Sequence, residues 1–521
     1  MPLFELVIAL LLAGAVLSAW ARRIRVPYPA LLALAGAALA LLPNMPSVTL
    51  DPELALALFV APVLLDAAFD SSPRDLKRDW RAVVGLAIVA VAVTIGAVAL
   101  VARLRVPGLP WPAAIALGAI VAPPDAAAAT AVLKQMRPPH RLLVILEGES
   151  LFNDASALLV YRLAVAAAAA GSFSPWSALP LLAIVSVGSV LVGAALSRLT
   201  LFLVGRIRDV ATSVIIQFLT TFGVWILAER LRLSGIITIV TYAIVTARSA
   251  PARMPARLRI PSYAVWEVVV FVLNVLAFIL VGLQLRPIVQ RLDRPQLLDY
   301  LVTAAAVCAA VIVVRMLWAL AYALVAHWGR RGESPDPRFA WRSSLRPAIA
   351  IGWSGMRGIV TLAAALALPA SFPGRDLVLF TAFSVVLVTL VLQGATLAPL
   401  MRLLRLEDDG TVEGEIRRAR AETARAGLEA LQGAGENEMT ALLTRKYEAR
   451  LRRADGAGAA AAEQAHDLPG DADAPRRAQE AERRKLLELR DRGVIGDDAF
   501  HRVEEELDWA DLHAEAQHRT V

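Results

Sequence analysis

The sequence predicts an all-α membrane protein built as an inverted repeat, and three observations carry that prediction. Apolar runs of about 20 residues, the length that crosses roughly 30 Å of hydrocarbon, recur from the N-terminus to near Leu404. Two of these runs are interrupted in mid-span, one by Pro123 and Pro124, the other by Gly352, Gly355 and Gly358. Carboxylates stand inside two of the runs, Asp125 in the one that the prolines interrupt and Glu147, Glu149 and Asp154 in the next, where burying a charge costs a few kcal/mol or more.

Composition sets the class. Hydrophobic residues make up 57% of the 521 and charged residues 19%, and the mean hydropathy is +0.58, well beyond an ordinary soluble domain. About thirteen runs can be counted, near 3–20, 27–42, 52–69, 81–101, 111–133, 142–169, 178–204, 210–230, 234–247, 264–285, 299–326, 344–369 and 377–404. The first lacks a basic leading region and is too long for a cleaved signal core, so it reads as a retained span. The single cysteine, Cys308, excludes an intramolecular disulfide framework and a Cys-based zinc site and reads as a packing residue.

A net charge of +7 does not point to nucleic acid, because the arginines sit largely in short loops between spans. With the N-terminus outside, roughly 21 basic residues fall in the inner loops against about 8 in the outer ones, a clear positive-inside bias. The C-terminus is therefore expected in the cytoplasm of a bacterium, with the spans in its inner (plasma) membrane and lipid as the surrounding partner.

The division expected is a transmembrane domain over 1–405 and a cytoplasmic helical tail over 406–521. From Arg405 the chain turns rich in Glu, Arg, Ala and Asp, with a Gly/Ala/Asp/Pro stretch between Ala454 and Pro475. Beyond it, Leu486, Leu487 and Leu489, the glycines at 493 and 496, then Phe500, Val503, Leu507 and Trp509 predict a helical hairpin with its turn at the glycines.

Span five should break into two half-helices. Two consecutive prolines remove two helix hydrogen bonds and free carbonyls at membrane depth, and Asp125 adds a full negative charge to the exposed dipole ends. Span twelve carries the other interruption, where glycines weaken the helix and permit close backbone approach. With spans one to six as one repeat and eight to thirteen as another, the fifth of each is the broken one. Seven spans separate the two, so the repeats would run in opposite senses, with a binding site where the broken helices cross.

Span six is continuous and carries Glu149, Asn153 and Asp154. Glu149 and Asn153 share a helix face, and Asp154 is turned about 100° beyond. A carboxylate able to hold either a cation or a proton makes the two compete. Glu147, nearer the cytoplasmic end, reads as a water-facing structural acid. Asp66, Asp70 and Glu267 lie near span ends, where charges reach water, and no histidine falls within a span.

Ala122-Pro-Pro-Asp125-Ala, the run Leu146-Glu-Gly-Glu-Ser-Leu-Phe-Asn-Asp-Ala155, Arg315 in Val313-Val-Arg-Met, and Gly355-Met-Arg-Gly-Ile359 together resemble the sodium/proton exchanger family, the monovalent cation:proton antiporters with an Asn-Asp pair. The resemblance covers about residues 1–405. It implies that Asp154 is the principal carrier of cation and proton, that Asn153 orients the site, that Asp125 stands beside it as a second ligand of the transported cation, and that Ser150 is a candidate oxygen ligand. Glu149 would be a structural acid paired with a membrane-embedded arginine, Arg315 first and Arg357 second. Many members have Thr before the span-five Asp where this chain has Pro124, so a hydroxyl ligand is missing there.

The resulting expectation is an antiporter, not an enzyme and in need of no cofactor, that assembles as a homodimer and exchanges Na+ or another monovalent cation for H+ in pH and cation homeostasis. Potassium/proton exchange is the nearest alternative. A cation channel lacks a visible carbonyl-rich filter, and an intramembrane aspartyl protease using Asp125 and Asp154 would lack the Gly-x-Gly-Asp sequence around either residue.

Overall fold

The computed structural model describes residues 2–24, 26–42, 52–170, 175–207, 209–290, 294–329, 337–432, 438–454 and 473–519. Among the described residues every regular element is a helix. The chain opens with α1 (Pro2–Ile24) and α2 (Tyr28–Ala40), the latter entered through prolines that suit a helix start. The third run is α3 (Pro52–Ala55), a π turn (Leu56–Val60) and α4 (Ala61–Asp70). Next come α5 (Pro73–Arg78), α6 (Trp80–Val84), a second π turn (Gly85–Ala90) and α7 (Val91–Arg105).

The fifth run is divided as the prolines predict, into α8 (Trp111–Val121) and α9 (Ala126–Leu133), whereas α10 (His140–Ala170) runs unbroken. Beyond α11 (Pro175–Val204), α12 (Val210–Arg230) and α13 (Gly235–Arg253) begin at Asp209 and Ser234, whose side chains accept from Thr212 and Ile237 main-chain N–H groups. There follow α14 (Ala256–Leu283), the short α15 (Leu285–Val289) and α16 (Arg294–Gly329). The twelfth run is α17 (Pro337–Trp353) and α18 (Ile359–Leu366) with non-helical residues 354–358 between them. The last run is α19 (Arg375–Val388), a third π turn (Thr389–Gln393) and α20 (Gly394–Leu404).

Nine described helices are long and apolar enough to cross a membrane, and 7–21 and 28–40 form shorter apolar helices. The count of about thirteen read from the sequence is not reproduced by length alone. The run at 27–42 folds as a 13-residue helix, and the twelfth is cut in two by its break. Gly352, read as part of that interruption, lies in the last turn of α17; the break itself is Ser354–Gly358.

The membrane helices sort into two bundles. In one, α7 and α10 pack on α8, α16 packs on α7, α17 and α19, and α18 packs on α19. In the other, α14 packs along α2, α1 lies against both, and α13 packs on α4, α11 and α12. The first bundle is held by a core rich in alanine and β-branched residues, among them Val98, Leu117, Ile120, Val121, Val307, Val311 and Val385, with Cys308 buried in it as a packing residue. A second core, including Leu32, Ala33, Phe278, Ile279, Met356, Leu390 and Leu397, spans the seam between the bundles.

The tail contributes α21 (Thr411–Leu431), α22 (Glu438–Ala454), α23 (Asp473–Asp491) and α24 (Asp497–Arg519). The expected hairpin is α23 and α24, and its turn contains Gly493 at φ +67°, a left-handed conformation that suits glycine. Leu486, Leu489, Phe500, Val503 and Leu507 bury one face against Ile416 and Ala419 of α21, while Trp509 stays exposed. The Ala454–Pro475 stretch falls largely outside the described residues.

Candidate functional site

The two breaks cross in the first bundle and are joined through main chain. The Asp125 N–H donates to the Met356 carbonyl at 2.7 Å. Freed of its own helix by Pro123 and Pro124, this donor finds its partner in the other broken segment, which satisfies a polar group that lipid could not.

Each broken helix leaves a negative carbonyl end and a positive amide end at this depth. An arginine closes each carbonyl end. Arg357, 1% exposed, donates through Nε to Val121 O at 3.0 Å and through Nη2 to Ala122 O at 3.2 Å, at the end of α8. Its Nη1 meets Gly355 O, and its own N–H donates to Thr389 Oγ1 at 3.0 Å, in the π turn of the last run. Arg315 does the same for α17, donating through Nη2 to Ile351 O at 3.2 Å.

The amide ends face acids. Asp125 caps α9, accepting from Ala127 N–H at 2.9 Å, and its other carboxylate oxygen lies directly against Gly358, the N-cap residue of α18. One carboxylate thus stands between two positive helix ends. A Cβ at position 358 would overlap that carboxylate, so the crossing requires glycine there. Gly355 passes Arg315 so closely that a Cβ would come 2.5 Å from its Cδ and 2.7 Å from its Nε.

Helix α10 supplies the remaining groups. Asn153, fully buried, donates Nδ2–H to Pro124 O at 3.0 Å, while its Oδ1 is buried without a hydrogen-bond partner among the described residues. Ser150 Oγ accepts from Ala126 N–H at 3.3 Å at the start of α9. Asp154 is 6% exposed and lies within electrostatic reach of Asp125. Glu149 is clasped by Arg315 through both carboxylate oxygens, one at 2.8 Å.

The structure therefore brings together Asp125, Ser150, Asn153 and Asp154 at the crossing, with Pro123 and Pro124 in one break and Gly355 and Gly358 in the other. It separates the two arginines: Arg315 holds Glu149, and Arg357 holds carbonyls. Gly352 sits off the crossing, against Met316 of α16. Thr389 and the Met356 carbonyl were not singled out from the sequence: Thr389 stands in no motif, Met356 acts through its main chain, and only the tertiary contact reveals them. Glu147 pairs with Lys134 at 3.4 Å, partly exposed as expected, and Asp66 lies within electrostatic reach of Asp70 and Glu267.

The family profile described as "Sodium/hydrogen exchanger, transmembrane" matches residues 7–403. A protein of Mycobacterium tuberculosis named as an uncharacterised Na(+)/H(+) exchanger is 31% identical over 522 residues, covering 96% of this chain and 94% of its own. The sodium, potassium, lithium and rubidium/H(+) antiporter of Bacillus pumilus is 30% identical over 455 residues, covering 82% and 66%. The solved structure of the sodium proton antiporter MjNhaP1 from Methanocaldococcus jannaschii superposes with a TM-score of 0.59 at 18% identity, over 77% of this chain and 98% of that one, a likeness of fold.

Proposed function

The chain belongs to the sodium/hydrogen exchanger family, whose members are transporters and not enzymes, and from that premise we propose that it exchanges Na+ or another monovalent cation for H+ by alternating access at Asp154 and Asp125. The observation that carries this reading is the balance of charge at the crossing. Glu149, Asp125 and Asp154 stand against Arg315 and Arg357, which leaves one negative charge uncompensated in a buried site. A single monovalent cation or a single proton restores neutrality, so the two compete for the same place.

Asp154 is the carrier, since it alone of the three acids has neither an arginine nor a helix cap. Asp125 is the second ligand, and the free Oδ1 of Asn153 offers a neutral oxygen to the cation. Ser150, already accepting from Ala126 N–H, can add its remaining lone pair. Glu149 and Arg315 form a structural pair that fixes α10 to α16, and Arg357 holds the α8 end in place. In the transport cycle, protons displace the cation from Asp154, and the bundle carrying the crossing moves past the one built on α2, α13 and α14.

The reading includes a homodimer in a bacterial plasma membrane, N-terminus outside and tail in the cytoplasm, as the loop charges require. Potassium/proton exchange is the second reading: Pro124 puts no hydroxyl at the site, and the Bacillus pumilus relative is named for four cations. The test is fluorescence dequenching in everted vesicles with Na+, Li+ and K+ added in turn. Recovery with Na+ supports the proposal; recovery with K+ alone selects the second reading, and none with any cation rejects both.

A further inference from the structure

The tail hairpin touches both membrane bundles, and it does so by two kinds of bond. On the α14 side the hold is permanent. Arg259, 1% exposed, donates through Nε and Nη2 to the two carboxylate oxygens of Asp508, each at 2.7 Å, and its Nη1 meets Glu504 at 2.8 Å. Arg490, paired with Asp497 at 2.6 Å, also donates to Ala247 O of α13 at 3.3 Å. Guanidinium groups keep their charge at any physiological pH.

On the side of the crossing one of the holds is titratable. His140, the first residue of α10, faces Asp498 of α24 through Nδ1 at 3.3 Å and Asp75 of α5 through Nε2 at 3.5 Å. A neutral imidazole has one N–H and one lone pair, so it can serve one of these carboxylates and must turn its lone pair to the other; the imidazolium donates to both. Around it stand Arg74, which binds Asp75 at 3.0 Å and Glu415 at 2.8 Å, Asp409 of the 405–410 connection, and the Arg141–Asp79 pair at 2.7 Å. Burial pushes the Asp75 carboxyl up, but hydrogen bonds with His140 and Ser72 and the charge of Arg74 outweigh it and hold the carboxyl at about 2, so His140 always faces an anion there. The hairpin's other bonds here, Arg74 Nη1 to Gly493 O at 3.3 Å and, within the tail, Gly496 N–H to Glu415 of α21 at 2.6 Å, do not involve the imidazole. His501 of α24 stacks on Phe69 of α4, meets Tyr263 of α14 and faces Glu504 at 3.3 Å.

We propose that the α23–α24 hairpin is a proton-operated clasp: when His140 is protonated, Asp498 fastens the hairpin to the helix that carries Asn153 and Asp154, ties the two bundles together and slows exchange. The inference rests on the moving-bundle reading above. It gives the protein a brake on the side of the tail: as that compartment turns acid the clasp tightens, and as it turns alkaline the His140–Asp498 bond is lost and the site bundle is held less firmly, through Arg74 alone among the described residues.

The test compares the full chain with His140→Gln and Asp498→Asn in proteoliposomes, with the pH on the tail side stepped from about 6 to about 8.5. Competition of proton and cation at the site is common to all three proteins, so the ratio of variant to wild type isolates the clasp. A half-exposed ion pair of this kind is worth about a two- to five-fold change, and both variants should exceed wild type by that factor at the acid end and coincide with it at the alkaline end. Superimposed profiles overturn the proposal. Hydrogen exchange of residues 497–508 is read on the same samples: protection that rises with acid in wild type and not in the variants supports the clasp, and equal protection in all three overturns it. Absence of exchange activity at every pH would refute the transport reading, and the hydrogen-exchange comparison would still decide the clasp.

Discussion

Arg357 donates through Nε to the carbonyl of Val121 at 3.0 Å, so a charge from one broken helix closes the carbonyl end of the other. Replacing Arg357 with Gln leaves at least two buried carbonyls short of a donor and should cost about 3 kcal/mol or more. Lys cannot reproduce the fork that serves Val121, Ala122 and Gly355 together, so Arg357→Lys should recover only part. Thermal unfolding in detergent checks the ranking wild type, Lys, Gln; equal melting of all three would remove the capping role.

Glu149 and Arg315 are both nearly inaccessible, and each is the other's counter-charge. Glu149→Gln and Arg315→Met should each cost about 3–5 kcal/mol, because each leaves a lone buried charge, and the double variant should recover a good part of the loss. Additive losses in the unfolding cycle would mean that the pair is not coupled as the geometry requires.

Gly358→Ala places a methyl group where the Asp125 carboxylate lies. The break must then open, and the misplaced acid should lower exchange by about tenfold or more, while expression and membrane insertion persist. Transport at the wild-type rate would show that the two breaks do not touch during turnover.

The sequence made the break at Pro123-Pro124, the wedge on α10 and the pairing of Glu149 with Arg315 legible, since prolines, helical spacing and a lone mid-span arginine are local signals. It left Arg357 as a second partner for Glu149. Its true contacts, Val121 and Ala122, lie more than two hundred residues away and are main-chain atoms, which no side-chain pattern reports. The same holds for Arg259: the sequence places it among loop charges, but it is buried under Asp508 of the tail. The π turns were also illegible, because each adds one residue to a turn without changing the apolar run around it.

One uncompensated negative charge at the crossing implies one cation exchanged for one proton and no net charge moved. A full elementary charge crossing the membrane would feel about 2.3 kcal/mol per 100 mV. In proteoliposomes at fixed ion gradients, a potential imposed with potassium and valinomycin, in an assay driven by Na+, should leave the rate nearly unchanged. A rate that changes steeply with voltage would mean that Asp125 and Asp154 carry protons independently.

The central claim is that Asp154 is the shared seat of cation and proton, and the most direct test is the transport activity of Asp154→Asn in reconstituted vesicles. Neutralising it removes both the proton site and the counter-charge of the cation, while the fold loses only a costly buried group. The account predicts exchange at the background of empty vesicles, with a melting temperature in detergent equal to or above wild type. Cation-driven proton flux at the wild-type rate from a correctly folded Asp154→Asn protein would contradict it.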